Sequence, residues 1–271
     1  MTKHDLFNQI QLKKSFLCLG LDPDIEKMPS QLIASSDEPL FDFCKQIVDG
    51  VHPLCVAVKI NTAFFEAYGD TGFASLSKLI YYIKSNYPDL FTIADSKRGD
   101  IGNTSLRYAK AFFEAMPFDS ITISPYMGKD SIEPFLLYKD KHAILLALTS
   151  NQGAADFQFS ENNEKSLFKK VIATSLKYDN ADRLMYVVGA TKADYLKEIR
   201  NIVPNAFLLI PGVGAQGGGL KDVFENGVNK QVGLLVNSSR SILYASKGED
   251  YVAAAFKIAA SLQNQMEKLL T

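Results

Sequence analysis

Eight short apolar runs, rich in Val, Ile, Leu and Phe, recur at 16–21, 56–60, 91–94, 120–124, 143–148, 185–188, 206–210 and 232–236, each ending in polar or glycine-rich residues. Segments with apolar residues at three-and-four spacing lie between or after them, and predict helices over 40–54, 74–85, 106–114, 166–176, 192–199 and 251–269. A strand that is apolar throughout, rather than alternating, needs cover on both faces, as in a parallel sheet whose crossovers are helices. Eight β-then-α units in 271 residues predict an α/β protein of the (β/α)8, or TIM-barrel, class, with residues 1–271 in a single domain. A further helix over 5–12 should precede the barrel and cover its floor, and the polar stretch 151–165 reads as a long loop after the fifth strand.

Charge changes the picture mainly by exclusion. The chain carries 29 basic and 30 acidic side chains without a long basic run, so nucleic acid is not an expected partner. No apolar stretch reaches the ~20 residues of a membrane helix, and residues 1–14 mix charge with apolar positions, unlike a signal peptide; a cytoplasmic enzyme is the expectation. Cys18, Cys44 and Cys55 are odd in number and set mostly among apolar neighbours, which favours buried free thiols over disulfides or a thiolate metal site. His4, His52 and His142 are scattered, so nothing resembles a zinc site and the chemistry should fall to carboxylates, Lys and Arg.

In a barrel of this class the chemistry gathers at the carboxyl ends of the strands. The third run is followed by Asp95-Ser96-Lys97-Arg98-Gly99-Asp100-Ile101-Gly102-Asn103-Thr104. Period-two alternation puts Asp95 and Lys97 on one face, pointing into the mouth, where neither is easily solvated unless paired. Gly99 would allow a sharp turn that leaves Asp100 near a helix start with Thr104 one turn on. A structural ion pair and an N-capping Asp100 account for the same residues. Two carboxylates flanking one ammonium, however, keep the lysine protonated and leave an anion short of a partner. Lys59, inside the apolar second run, needs a carboxylate in the same mouth, with Asp95 the expected one, unless its stem snorkels outward. Asp22, before Pro23, is either a turn former or a carboxylate for sugar hydroxyls.

The seventh run ends in Pro211-Gly212-Val213-Gly214-Ala215-Gln216-Gly217-Gly218-Gly219. Gly212, Gly214 and Gly217 satisfy Gly-x-Gly-x-x-Gly, but the match comes late in the chain, and Asn237 stands where a dinucleotide fold wants an acid. A simple phosphate cradle fits better, because the eighth run delivers Ser238, Ser239 and Arg240, whose guanidinium suits a bidentate grip on phosphate, and Gln216 could add an amide contact. A surface salt bridge is the alternative for Arg240. The fifth run ends in Thr149-Ser150-Asn151, which offers hydroxyls and an amide, with no elbow or histidine to make Ser150 a nucleophile.

The pattern Asp95-x-Lys97-x-x-Asp100-Ile101-x-x-Thr104, with Lys59 upstream and the glycine loop and Arg240 downstream, resembles the orotidine 5'-phosphate decarboxylases, in particular their longer bacterial subgroup. The Asp-x-Lys-x-x-Asp core is shared with sugar-phosphate decarboxylases of the same suprafamily, in which a metal-binding acid takes the place of Lys59. The resemblance implies loss of CO2 from orotidine 5'-monophosphate to give UMP, the last step of de novo pyrimidine nucleotide synthesis, with no cofactor and no metal. It implies catalytic roles for Lys97, Asp95, Lys59 and Asp100. Substrate contacts would come from Asp22, Thr104, Thr149, Ser150, Pro211, Gln216, Gly217, Ser239 and Arg240. It also implies a homodimer in which Asp100 and Thr104 cross the interface. Two other readings stay open on the residues: a metal-dependent phosphosugar decarboxylase or epimerase, and a non-catalytic phosphometabolite-binding barrel.

Overall fold

In a computed structural model, described for residues 1–160, 166–213 and 219–271, the eight expected strands close into one parallel barrel in chain order. They are β1 (Leu17–Leu21), β2 (Ala57–Asn61), β3 (Phe91–Arg98), β4 (Ser120–Ile123), β5 (His142–Leu148), β6 (Leu184–Val188), β7 (Leu208–Pro211) and β8 (Leu234–Ser238). β8 returns to pair with β1, so no strand edge is left to solvent. Helices follow the strands, among them Pro39–Val51, Gly69–Asn86, Leu167–Ser175, Ala193–Ile202 and Tyr251–Leu270. Their apolar stripes and the outer faces of the strands form the core, where Phe43, Ile47, Leu76, Leu79, Ile80 and Ile83 are fully buried.

The first helix, Lys3–Lys13, begins with a capping box between Thr2 and Asp5 and buries Leu6 and Ile10. It lies at the floor, with the Lys3 ammonium 3.0 Å from the carbonyl oxygen of Leu184 at the start of β6. Beneath β7 and β8, Arg200 is buried and donates to the carbonyls of Val203, Ala206, Gly227 and Gly233. One side chain thereby satisfies several backbone oxygens at the roots of the two strands whose upper ends reach the candidate phosphate loops.

Several details depart from the sequence reading. β3 runs four residues past 94, and the expected helix over 106–114 is Gly102–Lys110 followed by a wider π-type turn, Ala111–Ala115. Lys129–Leu136 and Leu220–Gly227 are the helices of the fourth and seventh units, to which the spacing assigns no bounds, and the short helices Ser30–Ser35, Ala63–Glu66, Ala154–Phe157 and Arg240–Leu243 are additional to the eight units. One contains Pro134, which reads as a breaker, and the four-residue ones are too short for a helical period to register. Ala154–Phe157 also interrupts the expected loop, whose residues 161–165 lie outside the described residues. No helix among the described residues is long and apolar enough to cross a membrane.

Candidate active site

Register fixes which strand residues face the barrel axis. Gly20 pairs with Lys59 and Asn61 with Asp95, while Cys18 and Pro211 both pair with Asn237, so these positions share the inward face. At the upper end this face opens into a cavity of about 340 Å³, lined by Asp22, Lys59, Asp95, Lys97, Thr149, Ser150, Pro211, Ser239 and Arg240 among others. Nine residues singled out from six strand ends thus share one opening.

The centre of the mouth is a chain of alternating charge. Lys59 Nζ lies 2.8 Å from Asp95 Oδ2 and 3.6 Å from Asp22 Oδ1, and Lys97 Nζ lies 2.6 Å from Asp95 Oδ1. Lys59 is buried, whereas half of the Lys97 side chain is exposed to the mouth. Burial pushes the Asp95 carboxyl up, but the ammonium groups of Lys59 and Lys97 outweigh it and hold Asp95 well below the usual carboxylate range. Burial likewise works against charge on Lys59, and Asp95 with Asp22 more than offsets it, leaving that ammonium harder to deprotonate than a free lysine. The result is a fixed cation–anion–cation arrangement in which Lys97 is by far the most exposed of the three to the cavity.

Simple alternation does not describe how Lys97 gets there. Between β3 and β4 the register moves from Ala94↔Ile121 to Arg98↔Ile123, so four steps on β3 face two on β4. Within this bulge Lys97 adopts a left-handed backbone, φ 47°, which L-residues other than glycine seldom take. The sharp turn expected at Gly99 is therefore made at Lys97 and again at Gly102, φ 48°. Gly99 serves a different end, since a Cβ there would stand 3.2 Å from Cβ of Ser124.

The candidate phosphate side, at the end of β8, is tied to the charge chain. The Ser239 hydroxyl lies 3.0 Å from the carbonyl oxygen of Gly20 and also hydrogen-bonds Asp22 Oδ2. Tyr244 donates to the Asp22 carbonyl at 2.7 Å and accepts from the Asp24 amide at 2.8 Å, which fixes the loop after β1 against the turn that carries Arg240. Arg240 is exposed, and its guanidinium has no side-chain partner among the described residues. Gly212 has φ 95° where the chain leaves β7; Gln216 and Gly217 lie outside the described residues. Across the mouth, Gln158 accepts from the Thr149 amide and donates to its hydroxyl, both at 2.8 Å. Gly189 lets Ser150 approach, because a Cβ there would come within 2.7 Å of the Ser150 backbone.

Two expected residues are not in this cavity. Asp100 and Thr104 sit beyond the bulge, with Thr104 exposed and the Asp100 Oδ1 accepting the Ile101 amide at 2.8 Å. Asp100 is not an N-cap either, because the helix starts at Gly102 with Ile101 at the cap position. Sequence reasoning gave no site role to Asn61, Asn237 and Ser241, which also line the cavity beside Asn151 and Ser238. The inward parity of Lys59 would have pointed to Asn61. All three cysteines are buried and free.

Comparison with known proteins agrees with this geometry. The model of the family described as orotidine 5'-phosphate decarboxylase / HUMPS matches residues 15–256. The chain is 57% identical over 270 residues to the orotidine 5'-phosphate decarboxylase of Flavobacterium johnsoniae, covering all of this chain and 98% of that one. It is 58% identical over 266 residues to the enzyme of that name from Christiangramia forsetii, covering 98% and 97%. Its fold matches the structure of Leishmania donovani OMP decarboxylase with a TM-score of 0.82 at 32% identity, over 99% of this chain and 100% of that one. With the barrel, the charged mouth and these likenesses together, the chain belongs to the orotidine 5'-phosphate decarboxylase / HUMPS family.

Proposed function

We propose that this protein is an orotidine 5'-phosphate decarboxylase that converts orotidine 5'-monophosphate to UMP and CO2 without metal or cofactor. The observation that carries the reading is Lys59, whose buried ammonium bridges Asp22 and Asp95. A divalent cation held by these carboxylates would have to displace it, so the site is built around an ammonium rather than a metal. This separates the reading from the phosphosugar decarboxylases and epimerases of the same suprafamily.

The chemistry follows from the electron pair. When the bond from C6 to the carboxylate breaks, CO2 departs and the pair stays on C6 in the plane of the ring, where the π system cannot take it up. A positive charge already in place is the remaining means of stabilising it. Lys97 supplies that charge, then gives a proton from Nζ to C6, forming UMP, and regains a proton from water. Asp95 orients Lys97 and faces the departing carboxylate. Asp22 takes the ribose hydroxyls, Ser150 and Thr149 meet the pyrimidine, and Ser239, Arg240, Pro211, Gln216 and Gly217 surround the phosphate. Phosphate binding remote from C6 offsets the ordering of these charges, so a substrate without phosphate loses turnover as well as affinity.

A homodimer completes the site in this reading, with Asp100 and Thr104 supplied from the partner subunit. Support comes from their position outside their own chain's cavity and from the apolar side chains exposed beside them. Ile101, next to Asp100, is 56% exposed, and Met127, whose Cε lies 3.5 Å from where a Cβ on Gly99 would stand, is 46% exposed, which is apolar surface suited to burial by a second copy. The deciding test is turnover of orotidine 5'-monophosphate by the purified protein in excess chelator, followed by ultraviolet absorbance. Sustained conversion to UMP is expected. Activity that needs a divalent metal and a keto-sugar phosphate would favour the rival enzyme, and nucleotide binding without turnover would leave a non-catalytic barrel.

A further inference from the structure

We propose that Thr122 is a positioning residue that sets the aim of Lys97; the inference rests on the reading of the mouth as a decarboxylase site. Thr122 is the inward-facing hydroxyl of β4 below the bulge, 1% exposed and absent from the cavity wall, so it does not reach the substrate. Its Oγ1 accepts the Lys97 amide at 2.9 Å and donates to Asp95 Oδ1 at 3.0 Å. One hydroxyl thus holds both the backbone and the counter-ion of the same lysine.

Each bond answers a specific need. The Lys97 amide belongs to a residue in the left-handed region and lies in the stretch where β3 and β4 are out of register. Buried amides need an acceptor, and Thr122 provides one that exists only for the bulged conformation. The donated bond fixes the rotation of the Asp95 carboxylate. Oδ1 then takes Lys97 and Thr122, while Oδ2 takes Lys59. Without the hydroxyl, the carboxylate keeps its two ammonium partners but loses the neutral bond that holds its rotation from the β4 side, and the Lys97 amide loses its side-chain acceptor. Small displacements of a charge that must meet a developing carbanion weaken catalysis steeply while leaving remote binding contacts in place.

Thr122→Val keeps shape and removes both bonds; Thr122→Ser keeps both. For Thr122→Val we expect kcat to fall at least about tenfold, with KM for orotidine 5'-monophosphate and Kd for UMP within about twofold of wild type, and for Thr122→Ser we expect near-complete recovery of kcat. A valine variant with wild-type kcat would overturn the inference. So would a serine variant as impaired as valine, which would make the methyl group the active part, or a loss confined to KM and UMP affinity. Thermal melting checks that the variants fold, and Thr122→Ala replaces Val if Val does not. The crystal structure of the folded variant gives a readout independent of turnover. Departure of Lys97 from positive φ, or rotation of Asp95, supports the role, and an unchanged bulge contradicts it. A wild-type protein inert towards orotidine 5'-monophosphate would instead count against the decarboxylase reading, with the crystallographic comparison still deciding the positioning role.

Discussion

Lys97 Nζ lies 2.6 Å from Asp95 Oδ1, yet half of the lysine side chain is open to the cavity. The ammonium is therefore held at one side and free at the other, as a group must be that is anchored before a ligand arrives. Asp95 is not dependent on it, since Lys59 occupies the second carboxylate oxygen at 2.8 Å.

From this follows the expected behaviour of Lys97→Ala. The remaining Lys59–Asp95 pair keeps the buried carboxylate compensated, so the variant should fold and bind UMP. Turnover should fall by about 10³-fold or more, because both the charge that meets the carbanion and the proton donor are gone. Steady-state rates beside UMP titration check it, and a variant retaining a tenth of the activity would remove Lys97 from the chemistry.

Gly20 is required by contact rather than by backbone strain. A Cβ there would stand 2.6 Å from Ser239 Oγ and 2.8 Å from Asn237 Oδ1. Gly20→Ala must push Ser239 away from Asp22, loosening the link between the phosphate side and the charge chain. Overpacking of this kind destabilises by about 1–3 kcal/mol. We expect a lower melting temperature and a raised KM for orotidine 5'-monophosphate; adding Ser239→Gly should partly relieve the loss of melting temperature but not the rise in KM, because it also removes the hydroxyl that ties Asp22. Absence of relief in the double variant would place the clash elsewhere.

The charge chain also has a pH signature. Asp95 is depressed in the folded state, so the stability it contributes is present above the ordinary carboxylate value of about 4 and is lost as pH falls through the depressed one. Lys59 is raised, so its contribution is full below about pH 10 and is lost only above that. Breaking the pair with Lys59→Met leaves the buried carboxylate with the half-exposed Lys97 as its remaining cation and should destabilise at neutral pH by an amount towards the lower end of about 3–5 kcal/mol. Protonating Asp95 removes the difference, so the gap between wild type and variant in urea midpoints should narrow below about pH 4. A gap constant down to pH 2 would mean that Lys59 stabilises by packing alone.

How much of this was readable in the chain depends on whether the signal was local. The barrel was legible because each strand is an apolar run in its own right. Lys59 was legible because a charge inside such a run demands a partner, and the Lys59–Asp95 pair needs no knowledge of loops. The bulge was not, since the register shift at Ala94 and Arg98 arises from how β3 meets β4, and period-two reasoning reached the correct face for Lys97 by an incomplete route. Thr122 left a trace in Ser120-Ile121-Thr122-Ile123, where alternating hydroxyls in a strand covered on both sides mark polar groups facing the axis. Its partners, Asp95 and Lys97, lie 27 and 25 residues away and only the fold brings them together. Asp100 and Thr104 were picked by a spacing, and nothing in one chain says whose cavity they serve.

That last question has a direct experiment. Asp100 and Thr104 follow the bulge and do not line their own chain's cavity; exposed Ile101 lies between them in the chain, and Met127, also exposed, has its Cε 3.5 Å from where a Cβ on Gly99 would stand. If a second copy covers this patch, each site combines Lys97 of one chain with Asp100 of the other. Lys97→Ala and Asp100→Ala homodimers should then both be inactive, and a hybrid carries one intact site and one doubly defective site. Random pairing makes half the dimers hybrid, so an equimolar mixture, after subunit exchange, should recover about a quarter of wild-type activity. Recovery should track the hybrid fraction measured by native mass spectrometry of differently tagged chains. Hybrids that form without any recovered activity would return Asp100 to the chemistry of its own chain, or remove it from the site altogether.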